Sequence, residues 1–120
     1  PLFFPGTPAW RTRGEDFDLM VGELVTELIR RWPQVATIEF AVEDVPPSNP
    51  APWESHNVVV ARIFPADRRR GLHDRIVVYR LPITLRCAPE EVALMTRRVL
   101  IERISHILAL PPDEIDDAMR

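Results

Sequence analysis

Val99–Leu110 reads V-L-I-E-R-I-S-H-I-L-A-L. Its apolar residues fall on every side of a helix, and a helix that is apolar all round is a buried one. Glu102, Arg103, Ser105 and His106 interrupt the run. Burying a charge is costly unless it is paired or holds a metal. Glu102 and His106 stand at i and i+4, on one face and one turn apart. The stretch therefore predicts a carboxylate and an imidazole buried side by side, and any chemistry of the chain is expected here.

Working outward, Ala88-Pro89-Glu90-Glu91 opens this helix, with Pro near its first position and acids in its first turn. Pro111 and Pro112 close it, and Asp113–Met119 has room for one more short helix. Upstream, Arg75–Leu85 contains I-V-V-Y and predicts a strand, with Pro82 closing it or placing it at an edge. Val58–Phe64 is a second β-branched run, and the charged segment Pro65–Asp74 with Gly71 makes a hairpin between them the economical connection. Arg68-Arg69-Arg70 reads as a solvated loop tip and as weak evidence for an anionic partner. Ala36–Val45 alternates, with Ile38, Phe40 and Val42 on one side and Glu39 and Glu43 on the other, as a half-buried strand does. Pro46 and Pro47 end it in a Pro-rich loop, residues 46–56, where Glu54 and His56 flank Trp53. His56 and His73 are expected on loops.

Thr12-Arg13-Gly14-Glu15 has the T-x-x-E form of a capping box. Phe17, Met20, Val21, Leu24, Val25, Leu28, Ile29 and Trp32 follow at helical spacing up to Pro33. The fold class is thus α+β, with two main helices packed on a small mixed sheet containing a β-hairpin. Residues 1–11 hold three Pro and one Gly and are expected to form an extended arm, pinned to the domain 12–120 by Leu2, Phe3, Phe4 and Trp10. A partner-binding arm is the alternative.

The 120 residues suit one domain, 46% of them hydrophobic and 28% charged. A net charge of -3 gives no support to nucleic-acid binding, and no apolar run reaches the length of a membrane span. The opening residues do not read as a secretory signal. The single Cys87 cannot form an internal disulfide, which fits a cytoplasmic location, and with no His near it in sequence it is expected to be structural rather than nucleophilic.

V-E-D-V-P at Val42–Pro46, R-I-V-V-Y-R-L-P-I at Arg75–Ile83 and the helix ending H-I-L-A-L at His106–Leu110 resemble a small bacterial family of zincin-like metallopeptidases, over roughly Thr12 to Asp116. The resemblance implies a minimal zincin-like fold whose last helix carries H-E-x-x-H, then a Gly and a third ligand. Two His one turn apart hold zinc there, and the Glu between them activates the bound water. This sequence departs from that pattern. His106 keeps the second His position, but Glu102 stands at the first, Arg103 at the catalytic Glu, Ala109 at the Gly and Pro112 at the third ligand, with Asp113 one residue on.

Arg103 cannot accept a proton and its charge opposes a metal. The implied function is therefore a non-catalytic zincin-like domain, a pseudoenzyme without a cofactor. Glu102, Arg103 and His106 would then satisfy one another, and the cleft would hold a peptide or protein partner with Trp53 and the Pro-rich loop as its rim. The alternative is an active or metal-binding zinc peptidase with variant ligands, in which Glu102, His106 and Asp113 are the vestigial metal positions and Glu43 or Asp44 replaces the lost base. Ala109 is expected to obstruct the turn that a Gly would permit.

Overall fold

The computed structural model describes residues 12–47 and 59–118, with side chains placed for all but the last three. Helix α1 (Arg13–Arg31) begins where the sequence predicts. The Thr12 hydroxyl accepts from the Glu15 N–H at 3.1 Å, satisfying one of the unpaired donors of the first turn. Arg30 and Arg31 occupy the last turn, and Trp32 closes the helix by donating its N–H to the Leu28 carbonyl at 2.7 Å. Phe17, Val21 and Leu28 are buried along one face.

The first strand is shorter than its alternating pattern. Residues 33–37 form a 3-10 turn with Pro33 in its first positions and Val35 fully buried, and β1 spans Glu39–Glu43. Strand β2 (Ala61–Phe64) and strand β3 (Arg75–Tyr79) form the antiparallel hairpin, with Ala61 opposite Val78 and Ile63 opposite Ile76. Strand β1 pairs parallel with the other side of β3, so the mixed sheet has the order β1-β3-β2. The hairpin loop is closed by an Asp67–Leu72 bridge, carries Arg68–Arg70 on a 3-10 turn, and reverses at Gly71 with φ 68°.

The strand predicted over Arg75–Leu85 stops at Tyr79. Helix α2 (Arg80–Thr84) follows at once, with Pro82 in its first turn. A central strand needs every N–H for its two ladders, and Pro has none to give. In the first helical turn the missing N–H costs nothing, because those donors have no partner in the helix. Asp44 fixes the change of direction: its carboxylate pairs with Arg80 Nε at 2.9 Å, and its carbonyl accepts the Leu81 N–H at 3.0 Å. These contacts join the two strand motifs V-E-D-V-P and R-I-V-V-Y-R-L-P to each other.

Pro89–Glu91 forms a 3-10 turn that feeds α3 (Val92–Leu108). Val99, Leu100, Ile101, Ile104 and Ser105 make its second half the most buried helical segment among the described residues. Helix α4 (Pro112–Ala118) follows, anchored by the fully buried Ile115. Leu28, Val35, Ile76, Val78, Ile83, Leu100, Ile104 and Ile115 are the centre of the core, between the helices and one face of the sheet. Each such side chain contributes about 1.5–3 kcal/mol by leaving water. Val77 and Tyr79 alternate to the opposite face of β3 and are buried too. No described helix is long and apolar enough to cross a membrane.

The end of α3 corrects the expectation for Ala109. The turn is not obstructed: Ala109 itself adopts the left-handed conformation, φ 55° and ψ 41°, the only non-Gly residue with positive φ among those described. Its N–H and that of Leu110 both reach the Ser105 carbonyl, the first as in an αL helix end and the second as in a Schellman one.

Candidate functional site

Beyond its buried half, α3 leaves one stripe outward. Arg98, Glu102, His106 and Ala109 recur along it at helical spacing, and all four are exposed. The buried carboxylate–imidazole pair predicted for this helix is therefore absent: the Glu102 side chain is 69% exposed and His106 is exposed as well. The apolar residues Val99, Leu100, Ile101 and Ile104 wrap most of the helix, but the polar side chains hold the remaining stripe in water, where no desolvation cost arises.

This stripe opens onto a cleft of about 690 Å³ between α3 and the edge strand β2. Ile63 lines it from the sheet, and Glu102, Arg103, Ser105 and His106 line it from the helix. Ala109, Leu110 and Pro111 form its end, so the left-handed turn at Ala109 shapes one wall. Arg103 lies across the cleft, its side chain 24% exposed. Its Nη1 is 3.3 Å from Glu102 Oε1, and its Nη2 reaches the Ala61 carbonyl of β2 at 3.5 Å. Ser105 is buried and spends its hydroxyl proton on the Glu102 carbonyl at 2.7 Å, a local helix bond that leaves no activated nucleophile.

Which main-chain groups of β2 face away from β3 follows from the ladder. The Tyr79 N–H bonds the Val60 carbonyl at 2.9 Å, so in the alternation of an antiparallel pair Arg62 and Phe64 also direct their main-chain groups toward β3. Ala61 and Ile63 direct theirs outward, along the cleft. The Arg103 contact with the Ala61 carbonyl agrees with this register.

The zinc positions that the resemblance implied are only partly assembled. Glu102 and His106 share the cleft, whereas Asp113 lies in a neighbouring groove that Glu102 also borders but His106 does not. Among the described residues no three His, Cys, Asp or Glu side chains are grouped to hold a metal ion. Two exposed ligands with a guanidinium beside them do not fit a zinc centre, which takes three protein ligands even in its open, catalytic form. The candidate replacement bases are elsewhere. Asp44 is paired with Arg80, and Glu43 is exposed beside Tyr79 on the other sheet face; neither lines the cleft. Tyr79 there has its pKa raised by burial, partly offset by the adjacent Arg62 guanidinium, with Glu43 raising it further. His73 is exposed on the hairpin loop, and Cys87 is half-buried in a separate pocket beside Phe17 and Met20. Trp53, Glu54 and His56 of the predicted rim, and the predicted arm 1–11, lie outside the described residues.

Ile63, Leu110 and Pro111 are the site residues that the sequence reading missed. The hairpin register could have supplied Ile63, since it fixes which main-chain groups of β2 face away from β3. No protein-family model matches the chain, and no curated protein matches it either.

Proposed function

We propose that the chain is a zincin-like domain without peptidase activity, related to the small bacterial metallopeptidases, whose α3–β2 cleft binds a peptide or protein segment. The observation that carries this reading is Arg103. It stands at the position of the catalytic base and reaches across the cleft to the backbone of β2. A guanidinium cannot take a proton from water at ordinary pH. The single Cys87 supports placing this function in the cytoplasm.

The test is hydrolysis of fluorescein-labelled casein with added zinc, comparing the native chain with His106→Ala. Equal background rates are expected. Zinc-dependent hydrolysis that His106→Ala abolishes would overturn the reading.

A further inference from the structure

Among the described residues, the outer edge of β2 is open but stopped at one end. Of its two outward-facing residues, Ala61 has its carbonyl engaged by Arg103, while among the described residues nothing bonds the main-chain N–H or carbonyl of Ile63. An extended segment added to this edge can exchange both main-chain hydrogen bonds with Ile63, the mode by which peptides extend sheets. One step further it meets the Arg103 guanidinium. The segment must then leave the sheet or end.

Charge decides which of its ends belongs there. A segment antiparallel to β2 runs from Phe64 toward Ala61 and brings its carboxyl end to Arg103. A parallel segment brings its amino end, setting an ammonium against a guanidinium. Arg103 also has capacity to spare. A guanidinium carries five N–H donors, and the two contacts it makes, 3.3 and 3.5 Å, are longer than the roughly 2.7–2.9 Å of a charge-assisted bond. Its partner Glu102 is mostly in water and free to swing away. His106 supplies a further polar group on the same wall, and Leu110 and Pro111 an apolar one.

Resting on the reading of this cleft as a peptide site, we propose that it captures the carboxyl terminus of an extended chain, antiparallel to β2, with Arg103 receiving the terminal carboxylate. The ligand is recognised by its chain end and its main chain, and no covalent bond changes.

The test uses the full chain and a hexapeptide of alternating valine and threonine, labelled with fluorescein at its amino end, as free acid and as carboxyl-terminal amide. Fluorescence anisotropy at low salt is expected to show the acid binding at least tenfold tighter than the amide. Arg103→Met is expected to remove that difference. Ile63→Pro, which deletes an outward N–H without touching the ladder to β3, should weaken both forms. The acid–amide comparison is made on the unaltered protein, so it stands even where a variant misfolds. Equal binding of acid and amide would overturn the carboxylate assignment while leaving the peptide cleft in place. So would an amide carrying an internal aspartate that binds as tightly as the acid. Failure of every form to bind at millimolar peptide would overturn the peptide cleft and the inference together.

Discussion

Replacing Ala109 by Gly should stabilise the protein. Ala109 ends α3 with φ 55° and ψ 41°. Holding an L-residue in that region costs about 1–2 kcal/mol, because Cβ crowds the following carbonyl. Gly avoids the clash but brings back about 0.4–1 kcal/mol of unfolded-state entropy. The side chain lost is an exposed methyl, so no core contact goes with it, and the two N–H bonds to the Ser105 carbonyl are main-chain and remain. Taking the middle of each range, the net gain is about 0.8 kcal/mol. With a urea m-value of about 1.5 kcal/mol/M, the midpoint should rise by about 0.5 M. The assay is urea unfolding followed by circular dichroism at matched protein concentration. Ala109→Val, β-branched at the same φ, should lower the midpoint instead. An Ala109→Gly midpoint equal to or below that of the native chain would show that the helix does not end in a left-handed residue there, and the cleft wall built from Leu110 and Pro111 would lose its basis.

Tyr79 is the single tyrosine of the chain, so the absorbance of tyrosinate reports its ionisation alone. Burial holds its pKa above the ordinary 10.0, and the absorbance should titrate later in the folded than in the unfolded protein. Above pH 10 the unfolded chain loses a proton that the folded chain keeps. Stability should therefore be intact below that pH and fall as pH rises through the folded pKa, and Tyr79→Phe should flatten the slope. Leu100→Ala, at a fully buried position, should cost on the order of 3 kcal/mol in urea unfolding; a loss below 1 would remove Leu100 from the core. Glu102→His together with Arg103→Glu rewrites the exposed stripe as H-E-I-S-H. It should raise zinc affinity at least tenfold in a chromophoric-chelator competition, and Asp113→Ala should leave that gain unchanged because Asp113 borders only the groove that His106 does not reach and forms no three-ligand group with positions 102 and 106. A double variant that folds and binds zinc no better than the native chain would remove the cleft geometry as a metal template.

The architecture was legible where one local signal met no competitor. The capping box at Thr12, the 3.6-residue period to Trp32 and Pro33 beyond it place α1 almost to the residue. The two β-branched runs around Gly71 give the hairpin, because only antiparallel pairing suits so short a connection. A mixed sheet was legible, but not that β1 takes β3 rather than β2 as its neighbour: the Asp44–Arg80 contact that ties them joins residues 36 apart in sequence. Tyr79 to Thr84 was misread because β-branched and apolar residues continue past Pro82, and the missing N–H matters more than they do. At the site, the i, i+4 spacing put Glu102 and His106 on one face correctly, but composition alone could not say that this face is the exposed one. That is settled by what packs against the other sides of α3, a tertiary fact with no local trace. Arg103 was picked out by its chemistry, and its reach to Ala61 by nothing in the sequence.

The central place of β3 also bears on how the chain survives its own folding. Ile76–Tyr79 is four consecutive residues of high β-propensity, each buried in the finished sheet, with a neighbour strand on either edge. Before those neighbours dock, the same run is an uncharged, proline-free template for pairing with other chains. It is bracketed by Arg75 and Arg80, one exposed at the mouth of the hairpin and one tied to Asp44 only after β1 is in place. The two arginines thus act as gatekeepers that discourage stacking of unfolded copies. Replacing the exposed Arg75 with an apolar residue would be felt first as aggregation during synthesis, while the finished fold would register little change.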